Sequence, residues 1–375
     1  MAHEELKDKI AELEAQLKTT KVNKKTEMAV GQMKGKIAKL KEELEVKLSK
    51  GSSKGDGFAV KKEGDATVGL LGKPSVGKST LLGKITNKES KIGAYEFTTL
   101  DCIPGLLHFK HTNLQILDLP GIIDKASDNR GFGKKVLSVV RACDLVLLVI
   151  DARFPLEEME MLLRETHNAK IRFNQLRPNI DIRRTSNGGV QVPLNNSSQT
   201  IKYELVESVM HDMKHTNAEI IIHERNVSVD DFIDSCYGNL VYQRAMICLN
   251  KIDLFTPEEM KEKIALLSEK YPEYPLFGVS AETGINLEKL NNFIWEKLGF
   301  AWVYLKEARN EPDMTKPLVI KQGESIYRIC ERIHKDMLIK FKYAKVKGPS
   351  AKFDWQRVGL DHIVQDTDII EIYAR

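Results

Sequence analysis

A short glycine-rich segment holds the residues best suited to chemistry. Residues 72–79 read Gly-Lys-Pro-Ser-Val-Gly-Lys-Ser and match the pattern G-x-x-x-x-G-K-[ST]. An apolar run, Val68–Leu71, precedes this segment, and a helical pattern, Thr80–Thr86, follows it. In such a turn from strand to helix, backbone N–H groups point inward at phosphates and the helix start adds partial positive charge. The predicted phosphate-binding residues are contiguous: Gly72, Lys73, Pro74, Ser75, Val76, Gly77, Lys78, Ser79 and Thr80.

Side chains in and after this loop predict a magnesium site beside the phosphates. Lys78 is expected to reach the β- and γ-phosphates, and the Ser79 hydroxyl to bind Mg²⁺. Asp118 follows the apolar run Leu114–Leu117 and opens the sequence Asp-Leu-Pro-Gly. Its carboxylate is expected to hold Mg²⁺ through water, and the amide of Gly121 to meet the γ-phosphate.

A threonine between these two motifs completes the predicted metal site. Thr98 and Thr99 lie in a segment with weak local preferences, and we favour Thr99. A threonine hydroxyl there would bind Mg²⁺ only while the γ-phosphate is present, so the loop would order with triphosphate and loosen after hydrolysis. The predicted metal ligands are Ser79, Thr99 and Asp118, and the predicted catalytic groups are Lys78, Thr99 and Gly121.

The sequence Asn-Lys-Ile-Asp at 250–253 follows another apolar run, Ala245–Leu249, and indicates which base is bound. The Asp253 carboxylate can accept from both N1–H and the exocyclic amine of guanine. Adenine offers no such donor pair and would leave a buried carboxylate unpaired, which is costly. We expect the Lys251 stem to cover the base plane and Asn250 to bridge to the phosphate loop.

The segment Ser280, Ala281 and Glu282 ends the next apolar run, Leu276–Val279, and is expected to bring a backbone amide to the guanine oxygen. Each of these short motifs is weak alone. Four of them in this order, each at the end of an apolar run, predict GTP as the nucleotide and argue against ATP.

The apolar runs themselves indicate the fold. From Asp65 onward, short buried runs alternate with helical segments: Val68–Leu71, Leu114–Leu117, Leu145–Ile150, Ala245–Leu249 and Leu276–Val279. This alternation is typical of an α/β fold, here a P-loop domain with a mainly parallel sheet and helices on both faces. The stretch 166–236 interrupts the pattern, and we interpret it as an inserted α+β subdomain.

The ends of the chain carry patterns of their own. Apolar residues at helical spacing predict a helical region at 1–50, and glycine and serine predict a flexible linker at 51–64. The predicted organisation comprises these two segments, the two parts of the GTPase domain at 65–165 and 237–299, the insert at 166–236, and a C-terminal α+β domain at 300–375.

Composition excludes several classes of protein. The 375 residues suggest two or three domains, and 42% hydrophobic with 29% charged residues is typical of neither a disordered chain nor a membrane protein. The longest apolar run, Leu145–Ile150, is far shorter than the roughly 18 residues of a spanning helix. Five scattered cysteines without a Cys-x-x-Cys pair argue against disulfides and structural zinc. We therefore expect a cytoplasmic protein without a secretion signal or a membrane partner.

Two basic segments are candidates for contact with RNA. Residues 18–41 carry eight lysines against the single acid Glu27: Lys18, Lys21, Lys24, Lys25, Lys34, Lys36, Lys39 and Lys41. Residues 328–357 carry nine basic residues interleaved with Phe341, Tyr343, Phe353 and Trp355. Solvated helices and a sheet with core aromatics are one interpretation, and phosphate contact with base stacking is the other. The net charge of only +4 means that any such affinity comes from local patches.

The motifs together resemble those of one family. The phosphate loop, Tyr95–Leu100 and Asp118–Ile123 resemble the Obg-like branch of the translation-factor-related GTPases. Residues 23–26 (Asn-Lys-Lys-Thr), the linker leading to Phe58, and residues 341–344 (Phe-Lys-Tyr-Ala) resemble the developmentally regulated GTP-binding (DRG) family. The linker and residues 102–105 look more similar to the second paralogue of that family than to the first.

The resemblance extends over essentially the whole chain and carries several implications. It implies a helix-turn-helix-like N-terminal region, a GTPase domain, an insert shaped like part of a ribosomal protein, and a C-terminal TGS domain. It also implies an association with the ribosome or ribosomal RNA and a DRG family regulatory protein as partner. We expect no reading of DNA sequence. The resemblance further implies that potassium stimulates relatives, which makes K⁺ a candidate cofactor, although Ser75 stands where cation-dependent members often carry asparagine.

The residue after Gly121 is Ile122, where Ras-type enzymes have a glutamine that orients the attacking water. We therefore expect slow intrinsic turnover that is raised by a monovalent cation, by a partner's side chain or by a reshaped switch on the ribosome. Arg130 is a further candidate for a switch-borne arginine. The alternative function is a scaffold for RNA or the ribosome that GTP stabilises and in which hydrolysis is incidental.

Overall fold

A computed structural model describes residues 4–21, 26–49, 64–86, 103–119, 132–193, 201–224, 226–237, 240–307 and 310–374. The chain divides into two compact units. The first contains residues 1–58, 122–141 and 163–243, and the second contains residues 59–121, 142–162 and 244–375.

The described residues form eleven α-helices and sixteen strands. The helices are α1 Glu4–Thr19, α2 Glu27–Ser49, α3 Lys78–Ile85, α4 Phe132–Ala142, α5 Pro155–Asn168, α6 Tyr203–Asp212, α7 Val229–Cys236, α8 Pro257–Lys270, α9 Leu287–Lys297, α10 Ile326–Ile333 and α11 Lys335–Lys340. The strands are β1 Ala66–Leu71, β2 Ile103–Phe109, β3 Thr112–Asp118, β4 Leu145–Asp151, β5 Ile171–Phe173, β6 Ile180–Arg184, β7 Val190–Gln191, β8 Ala218–Ile222, β9 Val241–Gln243, β10 Ala245–Asn250, β11 Leu276–Gly278, β12 Phe300–Lys306, β13 Leu318–Lys321, β14 Phe341–Lys347, β15 Gln356–Val358 and β16 Ile369–Ala374.

The second unit is built around a six-stranded sheet in the order β11-β10-β4-β1-β3-β2. All neighbouring pairs are parallel except β2 and β3, which are antiparallel. Every residue of β1, β4 and β10 is buried, so both faces of the sheet are covered. The five strands predicted from apolar runs are all present, and the expectation of a mainly parallel sheet is confirmed.

Strand β2 was not predicted from the sequence, and its composition explains why. Pro104 and Gly105 interrupt an apolar run that otherwise resembles a strand. Proline is tolerated only where its missing N–H is not needed, and β2 lies at the edge of the sheet. The antiparallel pairing of β2 with β3 makes the sheet mixed.

The parallel strands direct their carboxyl ends to one edge of this sheet. Strand β1 runs into the glycine-rich loop, and α3 begins at Lys78. Strands β3, β4 and β10 end at Asp118, Asp151 and Asn250. Because the strands are adjacent and parallel, three polar side chains and the loop are brought to the same edge, where ligands of open α/β sheets bind.

The C-terminal residues of the second unit form a five-stranded sheet in the order β13-β12-β16-β14-β15. Helix α10 packs Ile326 and Ile329 against its core, with Val303, Val346 and Ile370 from the strands. Helices and strands are both present here, in line with the α+β character expected of this segment. Lys321 also donates to Asp144 Oδ1, at 2.9 Å, near the start of β4.

The first unit pairs the N-terminal helices with the inserted segment. Helices α1 and α2 form the expected helical region, and α2 contacts α6 and α7. The core contains Val209 of α6, Ile220 of β8 and Phe232 of α7. A buried ion pair also holds the unit together, since Arg172 binds Asp234 through Nε and Nη2 at 2.6 and 2.7 Å. Across the described ranges, no helix has the length and apolarity that crossing a bilayer requires.

Candidate nucleotide-binding site

The glycine-rich loop wraps around the ammonium group of Lys78. Its Nζ donates to the backbone carbonyls of Gly72 at 3.0 Å and Lys73 at 2.8 Å. Gly77, with φ +95°, precedes the first residue of α3, and Ser75 has φ +60°. The helix start and the lysine therefore both face the concave side of the loop, where a phosphate would meet N–H donors and positive charge.

Two glycines of the loop stand where a side chain does not fit. A Cβ atom on Gly72 would lie 2.2 Å from the carbonyl oxygen of Val149. A Cβ atom on Gly77 would lie 2.4 Å from Nδ2 of Asn250. The pattern of glycines therefore reflects close packing of the loop against β4 and against the end of β10, besides the backbone freedom that Gly77 needs.

Ser79 and Asp118 place two oxygen ligands suited to a hard cation next to each other. The Ser79 hydroxyl donates to Asp118 Oδ2 at 2.6 Å. The second carboxylate oxygen, Oδ1, is buried and has no hydrogen-bond partner among the described residues. Hydroxyl and carboxylate oxygens are the ligands that Mg²⁺ prefers, and a buried unpaired carboxylate oxygen is expensive without a cation or water. The residues present therefore fit Mg²⁺.

Asn250 fastens the loop to two other segments. It is 2% exposed, and its Nδ2 donates to the carbonyl of Val76 at 2.7 Å. Its Oδ1 accepts from the amide of Ala281 at 2.9 Å. Lys251, in the left-handed region with φ +67°, donates to the carbonyl of Ser75 at 2.9 Å. The predicted bridge from Asn250 to the loop is thus present.

The remaining predicted base-contacting residues are Asp253 and the segment 280–282. Asp253 is exposed, within a 3-10 turn at Ile252–Leu254. The amides of Ser280 and Ala281 are both used within the protein, by Ile285 O and by Asn250. The prediction that this segment brings a backbone amide to the base stays a prediction.

Sequence reasoning missed a carboxylate that touches this site. Asp151, 3% exposed, accepts from Lys251 Nζ at 2.8 Å. Burial alone would raise the pKa of this carboxyl, but the hydrogen bonds from Arg153 and Lys251 outweigh it and lower the pKa well below its usual value. The available signal was positional, because Asp151 ends a buried strand, as Asp118 and Asn250 do.

Four predicted residues lie outside the part of the chain that the structure describes. These are Thr99, Gly121, Ile122 and Arg130. Thr80 is described and lies exposed in the first turn of α3. The predictions made for the four stay predictions.

The two basic segments differ in how much of their charge is paired within the protein. In α2, Lys34 contacts Asp230 and Lys41 contacts Glu14, while Lys24 and Lys25 lie outside the described residues. Part of this lysine run therefore ties the first unit together.

In the C-terminal segment the aromatic residues divide between the core and the surface. Phe341 packs on the core, whereas Phe353 is 65% exposed. Tyr343 stacks on Tyr373 with ring centroids 4.5 Å apart, and the Arg357 guanidinium lies 4.1 Å from the Tyr343 centroid. The segment therefore has both core and exposed aromatic residues, and its contact with RNA stays a prediction.

Comparison with known proteins identifies the family. A family model described as "50S ribosome-binding GTPase" matches residues 67–176, a model of the C-terminal region of that domain matches 187–300, and the TGS domain model matches 302–374. The crystal structure of a GTP-binding protein from Pyrococcus horikoshii OT3 aligns with 82% of this chain and 100% of its own, at 16% identity and a TM-score of 0.44.

Two full-length relatives carry the same family name. The developmentally-regulated GTP-binding protein 1 homolog of Dictyostelium discoideum is 42% identical, with 99% of this chain and 100% of the relative covered. Developmentally-regulated GTP-binding protein 2 of Mus musculus is 39% identical, with 98% and 99% covered. These identities are similar, so the assignment to the second paralogue stays a prediction. The chain belongs to the developmentally regulated GTP-binding protein family, with a P-loop GTPase domain and a C-terminal TGS domain.

Proposed function

We propose that the protein is a cytoplasmic, Mg²⁺-dependent GTPase that hydrolyses GTP to GDP and phosphate and acts as a molecular switch on the ribosome. The observation that carries the proposal is the pair of hydrogen bonds of the Asn250 side chain, which donates to Val76 O at 2.7 Å and accepts from Ala281 N at 2.9 Å. It holds the phosphate loop and both base-contacting segments together at one sheet edge. A single nucleotide can span them.

Each residue has a defined role in this proposal. The loop amides and Lys78 bind the β- and γ-phosphates, and Lys78 and the Gly121 amide stabilise charge that develops on the γ-phosphate oxygens. Ser79, Asp118 and Thr99 hold Mg²⁺, which supplies neutralising charge to those oxygens when bound. Asp253 accepts from guanine N1–H and its amine, and the amide of Glu282 donates to the guanine oxygen.

Turnover is expected to be slow without an activator. Ile122 has no group that can orient water, so the chain lacks the glutamine that serves this purpose in Ras-type enzymes. A potassium ion beside the phosphates is one candidate activator. Ser75 occupies the loop position at which cation-dependent relatives often carry asparagine. Equal turnover in sodium and potassium buffers would remove this candidate.

Ribosome association rests on two kinds of support. The matching family model carries the description "50S ribosome-binding GTPase". The C-terminal segment also presents exposed Phe353 and Arg357, a combination suited to stacking and phosphate contact. A DRG family regulatory protein is the partner we expect besides RNA. Binding to RNA whose log-affinity does not change with log-salt would contradict phosphate contact.

A substitution at Lys78 tests the enzyme against the scaffold. Lys78→Ala removes the phosphate-binding ammonium, whereas Lys84→Ala removes an exposed ammonium from the last turn of the same helix. We expect Lys78→Ala to abolish GTP turnover in the presence of ribosomes and Lys84→Ala to leave it unchanged. Turnover that survives in Lys78→Ala would refute the catalytic assignment, and equal competition by ATP and GTP would refute the base assignment.

The scaffold alternative makes a different prediction for the same variants. If GTP only stabilises a binding surface, cells that carry Lys78→Ala keep the function that depends on ribosome association. Sedimentation with ribosomes and growth complementation therefore separate the two hypotheses, with Lys84→Ala again as the reference.

A further inference from the structure

Strand β4 carries no recognised nucleotide motif, yet its last residue contacts the base-binding segment. Asp151 Oδ2 accepts from Lys251 Nζ at 2.8 Å. The same ammonium donates to the carbonyl of Ser75 at 2.9 Å. Lys251 is thereby held between a carboxylate and the phosphate loop, with only 26% of its side chain exposed.

Asp151 is itself fixed by groups from its own strand end and from α5. Arg153 donates to both carboxylate oxygens, from Nε at 3.0 and 3.1 Å and from Nη2 at 2.6 Å. The backbone amide of Asp151 donates to Glu158 Oε2 at 2.8 Å. Lys73 Nζ lies 3.8 Å from Glu158 Oε1, which connects the cluster to the phosphate loop a second time.

The cluster joins two buried carboxylates to three cationic side chains. Asp151 and Glu158 are 3% and 7% exposed, whereas Arg153 has half of its side chain in solvent. Each buried carboxylate lies within 4 Å of at least one of the three cations. Lys251 is the cation of this cluster that belongs to a predicted base-contacting motif.

We propose that Asp151 is a positioning residue for guanine-nucleotide binding, which holds the Lys251 side chain so that its stem covers the base plane. This inference rests on the proposed function, because it assumes that Lys251 contacts the base. A lysine side chain has a flexible four-carbon stem and loses much conformational freedom when it is fixed. Anchoring its ammonium at two points removes that freedom before the nucleotide arrives, so the ligand does not have to supply the ordering.

The test is a double-mutant cycle on the affinity for GDP in the full-length protein. Asp151→Asn keeps the shape of the side chain and removes the charge that holds Lys251, and Lys251→Met removes the ammonium that Asp151 holds. Glu160→Gln is the matched control, since it neutralises an exposed carboxylate on the neighbouring helix that pairs with Lys270. Thermal unfolding of each variant without nucleotide verifies that it folds.

We expect Asp151→Asn to weaken GDP binding about tenfold in the otherwise unchanged protein. In the Lys251→Met background the same substitution should change the affinity by about twofold or less, because its target is already absent. IDP lacks the exocyclic amine, which a stem over the base plane does not contact. The affinity of Asp151→Asn for IDP should therefore fall by the same factor as its affinity for GDP. Glu160→Gln should bind GDP like the unchanged protein.

Several results would overturn the inference. An unchanged affinity in Asp151→Asn, or an equal loss with and without Lys251, would show that Asp151 does not act through the lysine. If Asp151→Asn does not fold, Asp151→Glu keeps the charge and displaces it by one methylene. Its loss of GDP affinity should again disappear in Lys251→Met, and a loss that persists overturns the inference. Failure of the unchanged protein to bind GDP would instead refute the proposed function.

Discussion

Removal of the Asn250 side chain should separate the phosphate loop from the base-contacting segments. Asn250→Ala deletes two hydrogen bonds, of 2.7 Å to Val76 O and 2.9 Å to Ala281 N. Both of these partners belong to residues at most 2% exposed, so water does not readily replace the lost bonds. At about 1–1.5 kcal/mol for each bond, with part of the desolvation penalty added, we expect a loss of about 3 kcal/mol.

The loss should appear in two measurements. Because both partners of these bonds belong to the protein itself, urea unfolding of the nucleotide-free protein should show lower stability. Titration with GDP should show weaker binding, because the nucleotide must then bring the loops together itself. Asn292→Ala is the control, since Asn292 donates to the carbonyl of Glu288 within its own helix, at 3.1 Å. The reasoning is refuted if Asn250→Ala unfolds and binds GDP as Asn292→Ala does.

Three further perturbations follow from the contacts described above. Ser79→Ala removes a hydroxyl ligand, so Mg²⁺ should tighten GDP binding far less than in the unchanged protein, as titrations with Mg²⁺ and with EDTA will measure. Burial raises the pKa of the Cys248 thiol to about 12, so iodoacetamide should label it at pH 8 only after unfolding, as peptide mass spectrometry will reveal. Because this pKa exceeds that of an exposed cysteine, the buried neutral thiol contributes its full stability below pH about 8.5. That contribution is lost as the pH rises towards 12. Arg172→Met leaves the carboxylate of Asp234, 11% exposed, without its guanidinium and should destabilise the first unit by about 3–5 kcal/mol. Hydrogen exchange should then rise in that unit while the affinity for GDP is retained, and unchanged exchange would contradict the role of this ion pair.

The buried strands and the motifs that follow them could be predicted because both depend on local sequence. Apolar runs such as Leu145–Ile150 are long enough to identify a fully buried strand, and the chemistry of 72–79 is contiguous. Strand β2 was missed because Pro104 and Gly105 hide an edge strand. Strands β5 and β9 have three residues each, which is too short for any period to be recognised.

The contacts of Asp151 could not be predicted for a different reason. Its hydrogen bond to Lys251 joins residues 100 positions apart, and the local sequence shows only that Asp151 follows an apolar run, not which cation it contacts. The pairing of Lys34 with Asp230, 196 positions apart, is equally long-range. A lysine-rich run is therefore read as a free basic surface until the packing of its helix is known.

The absent side chain at Gly77 constrains how this protein can be re-engineered. A Cβ atom there would overlap the amide nitrogen of Asn250, and that amide binds Val76 from 174 positions away. A designer who transplants the loop alone into another scaffold would obtain a turn without its clamp. Residues 76, 77 and 250 thus depend on one another through direct contact, and variant libraries should randomise them jointly.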